Sequence, residues 1–194
     1  MAPGIKAVLG MSVLSALQQR NSHTKLIAPG PDAEQLQAIV TAGLRAPDHG
    51  RLRPWHFVAI QGERRGALGD LFVKALTLTR PTATDAELSK ARAAPLRAPL
   101  IIAGLVKPVA HPKVPRVEQV AAVACALHGM SLAAEAQGFG AMWRTGWYAQ
   151  DAVVIDGLGG KPSDEVIGFL YLGTRKGEAK PLAEPELATY LSIY

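Results

Sequence analysis

Apolar and polar residues change period several times along this chain, and each change marks an element. Over residues 12–19, Val13, Leu14 and Leu17 share one face, which predicts a short helix ended by Arg20-Asn21-Ser22-His23-Thr24. Pro29-Gly30-Pro31 interrupts the chain. Asp32 then caps a second helix, with Gln35 as its capping-box partner and Leu36, Ile39, Val40, Gly43 and Leu44 as its inward stripe, closed by Pro47. Residues 55–60 read as a strand. Residues 63–79 read as a helix with Leu68, Leu71, Phe72 and Leu76 inward. Thr84 and Glu87 repeat the capping-box pattern ahead of a short helix that stops before Pro95. Residues 99–106 form a continuous apolar strand. After a Pro-rich basic loop, residues 117–137 form the longest helix, about 30 Å at 1.5 Å per residue. Its many alanines leave a face that another helix can approach closely, and Gly138 stops it. Residues 141–145 are a strand, 151–158 a short helix and 166–173 a last strand. Strict strand–helix alternation is absent, which points away from a doubly wound sheet and toward an α+β arrangement.

Length and composition narrow the class. A chain of 194 residues with 48% apolar and 19% charged residues has the make-up of one globular domain with a real core. Residues 11–194 are taken as that domain. Met11 offers an alternative start that would leave residues 1–10 as a disordered extension. The formal charge of +5 allows nucleic acid, anionic substrates or an anionic cofactor. Aromatics at 6% and scattered cations weigh against nucleic acid. Cys125 is the single cysteine, so there is neither an internal disulfide nor a CxxC motif; its apolar helix predicts a buried, inert thiol and a reducing, cytoplasmic setting. Residues 7–17 hold an apolar stretch diluted by Gly10, Ser12 and Ser15, with no small-residue cleavage site after it. No apolar run reads as long enough to span a bilayer, so no membrane partner is expected. The five histidines lack metal-ligand spacing, and no metal site is expected.

Three places could carry chemistry. Arg45 to Phe57 holds three arginines, two histidines and Trp55 in a loop bounded by Pro47 and Pro54, suited to an anion or an electron-poor ring. A solvated basic turn explains the same residues. Arg20 and Ser22, at a helix C-terminus, supply a charged fork and a hydroxyl that fit a phosphate. Equally, Arg20 could neutralise the helix end while Ser22 makes a turn. Trp143-Arg144-Thr145-Gly146 ends a strand with an aromatic face, a cation and a glycine that permits close backbone approach. A core tryptophan at a strand end is the plainer account. There is no GxGxxG turn, no GxxxxGK[ST] and no GxSxG elbow, and Gly-Leu-Gly-Gly at 157–160 reads as a helix stop.

Taken in order, these pieces resemble the nitroreductase family of FMN-dependent oxidoreductases, in its small YdjA-type subgroup. The residues that carry the resemblance are Arg20-Asn21-Ser22, Ala42 to His49 followed by Arg53-Pro54-Trp55-His56-Phe57, Lys113-Val114-Pro115-Arg116, Ala136 to Gly140 followed by Trp143-Arg144-Thr145-Gly146, and Val166 to Thr174. They span about residues 11–175. The resemblance implies a three-layer α+β fold, a central, mostly antiparallel sheet flanked by helices, and a homodimer with FMN at the interface. Arg20, Asn21 and Ser22 would hold the flavin phosphate and tail. Trp143, Arg144 and Thr145 would line the flavin, and Arg45 and His49 would reach it from the partner subunit. Asn21 stands where the subgroup carries arginine, and the tail after Thr174 matches nothing placed. The implied activity is ping-pong: hydride passes from NADH or NADPH to FMN N5, then to a nitroaromatic, quinone or similar small electron-poor acceptor. No side chain need act as a nucleophile, so no catalytic residue is named. The alternatives are a flavoenzyme of the same fold with another reductive task, such as an activated alkene or a dehalogenation, and a non-catalytic flavin-binding protein.

Overall fold

The computed structural model describes residues 12–178 and 180–194. The expected extension at residues 1–10 lies outside the described residues. The elements run α1 (Val13–Gln19), β1 (Leu26–Ile27), α2 (Ala33–Gly43), β2 (Trp55–Gln61), α3 (Arg64–Thr79), α4 (Asp85–Ala93), β3 (Leu100–Val106), α5 (Arg116–Ala136), β4 (Gly140–Arg144), α6 (Ala152–Gly157), β5 (Glu165–Arg175) and α7 (Leu187–Tyr190). Both capping boxes form: Asp32 with Gln35, and Thr84 with Glu87. The Gly-Leu-Gly-Gly stretch stops α6, with Gly159 at φ +79 and Gly160 N–H donating to the Ile155 carbonyl.

Every pairing among the described strands is antiparallel. β5 lies between β3 and β4, β2 borders β3, and the two residues of β1 pair with the end of β5. Alternation along β3 sends Leu100 and Ile102 to one face and Ile101, Ala103 and Leu105 to the other, which is why its sequence is apolar without a break. The first face packs on Ile39 of α2 and on Leu127, Met130 and Ala134 of α5. The second packs on Leu68, Phe72 and Leu76 of α3, with Val154 and Ile155 of α6. The expected three-layer α+β architecture is therefore observed.

Four expectations need correction. β1 is an additional strand, and at two residues it is too short to show a period. Leu44 is 45% exposed, because it caps α2 beyond the last turn that faces α5. Cys125 is exposed, since α5 buries Ala122, Ala126 and Met130 and turns Cys125 away. Finally, α5 does have the length and composition of a membrane span, although much of it packs inside the protein. The apolar side chains of α1 remain largely open: Val13 is 78% exposed and Leu14 63%.

One polar cluster enters the layer of α5. His23, just after α1, is buried, with its Nε2 4.0 Å from Glu135 Oε1, an oxygen with no hydrogen-bond partner. Burial pushes the Glu135 carboxyl up from its ordinary 4.5, against the opposing pull of Arg175, the Asn21 N–H and Arg20. Burial also pushes His23 down from 6.5, helped by the charges of Arg175 and Arg20.

Two stability predictions follow from this packing. A Cβ on Gly43 would stand 2.5 Å from Met130 Cγ and 2.9 Å from the Ala126 carbonyl oxygen, so Gly43→Ala should cost about 1–3 kcal/mol by overpacking. Gly66, inside α3, has open space around its missing Cβ, so Gly66→Ala should stabilise by about 0.5–1 kcal/mol. Thermal denaturation should move in opposite directions for the two. For Glu135, a raised folded-state pKa means that the ionised form weakens the fold. Stability from this group is therefore full below the unfolded value of 4.5 and is lost as pH rises through the folded value. In the cofactor-free protein, Glu135→Gln should exceed wild type in urea midpoint at pH 8, and the gap should close below about pH 4.5.

Candidate functional site

The Arg20–Ser22 turn is held from several sides. The Asn21 side chain donates to the Lys180 carbonyl at 2.6 Å, and its Oδ1 accepts from Ser22 N–H at 2.8 Å. His23 N–H donates to the Ala141 carbonyl, which ties the turn to β4. Asn21 thus shapes the turn and binds the tail, and among the described residues no hydrogen bond engages the Arg20 guanidinium or the Ser22 hydroxyl. Arg175, at the end of β5, belongs to the same cluster. Its Nε and one terminal nitrogen donate to the Phe139 carbonyl at 3.2 and 3.0 Å.

From this turn a cationic groove follows the chain. Thr24 and Lys25 line a cavity of about 600 Å³ together with Arg97, Arg144 and Lys176. Arg97 and Arg144 also line a smaller cavity of about 210 Å³ with Lys90, Thr145, Tyr148 and Tyr171. The Arg144 guanidinium carbon lies 5.6 Å from the centre of the Tyr171 ring, a cation–π contact, and its Nε is buried with no hydrogen-bond partner. A buried guanidinium donor without an acceptor is costly. Burial pushes the Tyr171 phenol up to about 12, opposed by Arg144. Gly146 has φ +65 and ψ −179, a conformation reserved for glycine, and it lets the chain turn beside Thr145. A larger cavity of about 1030 Å³ lies on the other side of Thr145 and Gly146 and is lined by Asp156, Asp164 and Glu165, with Lys161. Its acidic lining suits an anion poorly.

Arg144 and Thr145 line one cavity, while Arg20 and Ser22 stand on the turn that leads into Thr24 and Lys25 of the adjoining one. Trp143 is separated from Arg144 by strand alternation: its indole covers Gly168 and packs with the α2 and α5 layer. Arg45 and His49 are not among the residues that line these two cavities. His49 sits in a short 3₁₀ turn, His49–Arg51, and its Nδ1 is 2.6 Å from Glu118 Oε2 in the first turn of α5. Arg20 and His23 gather near Glu135 in the last turn. Glu118 and Glu135 stand about 26 Å apart along the helix at 1.5 Å per residue, farther than one mononucleotide reaches. Lys90, Arg97, Tyr171 and Arg175 escape a sequence reading because register and helix packing bring them together. The one local signal is a cation directly at a strand end, shared by Arg144 and Arg175.

With this geometry in view, the chain can be set beside known proteins. The model of the nitroreductase family matches residues 17–174. YdjA of Escherichia coli K12, named as a candidate NAD(P)H nitroreductase, is 43% identical over 164 residues, covering 84% of this chain and 88% of that protein. A Haemophilus influenzae protein with a similar name is 36% identical over 187 residues, covering 93% and 100%. Among solved structures, a nitroreductase-like protein from Bacillus cereus superposes with TM-score 0.82 at 20% identity, covering 95% of this chain and 97% of that one. A nitroreductase with bound FMN from Bacteroides fragilis gives 0.70 at 23% identity, covering 94% and 98%. The ordered motifs, the three-layer fold and these matches agree: the chain belongs to the nitroreductase family.

Proposed function

We propose that this protein is a homodimeric, FMN-dependent oxidoreductase that draws hydride from NADH or NADPH and reduces a small electron-poor acceptor, a nitroaromatic or a quinone, in two half-reactions at one site. The observation that carries the reading is the pair of adjoining cationic cavities lined from Thr24 to Tyr171, which share Arg97 and the half-buried Arg144 and open just beyond the Arg20–Ser22 turn. Its donor set fits a phosphate at one end and a carbonyl-rich ring at the other. The names of the relatives and the FMN held by a protein of the same fold support the choice of cofactor.

In this reading Arg20 and Ser22 hold the phosphate, Asn21 fixes the turn that presents them, and Arg175 adds charge beside it. Arg144, Thr145 and the main chain at Trp143 border the ring. FMN, when bound, supplies the hydride-accepting and electron-donating chemistry. The chain's own share is electrostatic. Arg97, Arg144 and Lys90 place positive charge where a reduced, anionic ring is favoured. Tyr171, its hydroxyl protonated, offers a neutral donor. His49 stands at the first turn of α5, away from the Arg20 turn at its last, and in this reading His49 and Arg45 serve the site of a second copy. The open apolar face of α1 and the small residues of α5 are the surfaces on which that copy would pack. The working compartment is taken as the cytoplasm, and nucleic acid and membrane are not expected partners.

Two measurements test the reading. Arg20→Ala should weaken FMN binding about ten- to a hundredfold, the value of roughly 1.5–3 kcal/mol for a charge-assisted contact, while Ser22→Ala should cost about one neutral hydrogen bond. Fluorescence titration of the apoprotein reads both, and wild-type affinity in Arg20→Ala would make Arg20 only a helix-end charge. For the shared site, an Arg20→Ala protein mixed with an Arg45→Ala protein should regain one intact site per heterodimer. A mass label confirms subunit exchange. Heterodimers that neither bind FMN nor oxidise NADH would place the two arginines on one subunit or remove both from the flavin.

A further inference from the structure

We infer that Glu118 is a positioning residue for the flavin site, acting through His49. The inference rests on the reading that His49 serves the cofactor of the partner subunit, and it adds the group that sets the orientation and proton of that imidazole. The contact is long-range and short in distance: His49 Nδ1 lies 2.6 Å from Glu118 Oε2, across 69 positions of sequence. An ionised carboxylate only accepts, so the proton must sit on Nδ1. Nε2 is then left on the edge of the ring that faces away from Glu118. A second-residue partner that fixes the tautomer of a working histidine is a recurring device.

Both sides of the contact are built to hold still. On the histidine side, Asp48 Oδ2 accepts from Arg53 N–H at 2.7 Å, and Gly50, Arg51 and Arg53 all take positive φ, of 72°, 54° and 50°. Two arginines in the left-handed region are strained, and the surrounding loop must compensate. On the glutamate side, the residues flanking Glu118 are tied in two other directions. The Arg116 guanidinium pairs with the Glu165 carboxylate and donates to the Ser163 carbonyl at 3.1 Å. The buried Gln119 amide accepts from Val109 N–H and donates to the Val109 carbonyl, both at 2.8 Å, and to the Val114 carbonyl at 3.3 Å. The first turn of α5 is thereby locked to the loop before it and to the approach to β5, and Glu118 projects from a fixed base. His49 and Glu118 are themselves 56% and 44% exposed, and an exposed ion pair adds little to stability. Folding alone does not account for the arrangement.

The test uses the FMN-loaded dimer and four variants: Glu118→Ala, Glu118→Gln, His49→Ala and the double Glu118→Ala/His49→Ala. FMN dissociation constants are read by flavin fluorescence. The ring tautomer of His49 is read by ¹⁵N NMR at alkaline pH, its signals assigned by their loss in His49→Ala. His49→Ala should weaken FMN binding about tenfold and Glu118→Ala about three- to tenfold, and the double variant should be no weaker than His49→Ala alone. Glu118→Gln keeps an oxygen that can accept from Nδ1–H, so it should regain most of the affinity. Wild type and Glu118→Gln should show the Nδ1–H form, and Glu118→Ala the Nε2–H form that free imidazoles favour. Multiplying losses in the double variant, or wild-type affinity in Glu118→Ala beside a weakened His49→Ala, would overturn the role of Glu118 while leaving His49 at the flavin. Wild-type affinity in His49→Ala would overturn the parent reading and this one together.

Discussion

Strands β3 and β5 are covered on both faces, and their register decides which side chain enters which layer. Because side chains alternate with a period of two, a slip of one residue would exchange the α5 layer for the α3 layer at every position. The pairing is pinned near its middle, where Gly104 faces Gly168 and the register shifts before Leu105 meets Val166. The missing side chains there are used by neighbours: Leu127 of α5 sits over Gly104, and the Trp143 indole sits over Gly168. This one arrangement seats α5, sets the height of β4 on β5 and divides Trp143 from Arg144. The groove with its buried guanidinium thus descends from a register fixed in the core.

Helix α5 carries the second constraint. It buries one face, holds His49 through its first turn and Glu135 with its cluster through its last. A single rigid element therefore sets the spacing between two groups of candidate ligands. In the proposed dimer both groups would contribute to one flavin site. The symmetric pairing of two such helices is the simplest way to bring the first turn of one to the last turn of another.

Much of this was legible in the residues themselves. The capping boxes at Asp32 and Thr84 announce their helices locally, and the unbroken apolar run of β3 announces a doubly covered strand. Arg20 and Ser22 stand out by residue type, as do Arg144 and Thr145. What stayed hidden depends on distance along the chain. β1 is defined by its partner at Thr174 and Arg175, not by its own two residues. The stripe of α1 predicts its helix, yet its apolar side chains stay largely exposed, and periodicity says nothing about what would cover them. Leu44 and Cys125 were misread for the related reason that an apolar neighbourhood in sequence is not one in space. Glu135 meets Arg175, and Arg97 meets Tyr171, only after α5 and the turn before β3 have packed beside β5.

The position of Tyr171 has one more consequence. With its phenol pushed up to about 12, the hydroxyl stays neutral through the physiological range, and the charged groups named along the groove are lysines and arginines. The attraction that the groove exerts on an anion is therefore set by fixed charge. Its strength should follow the salt content of the surrounding fluid, through screening over a Debye length of roughly 8–10 Å, far more than it follows acidity.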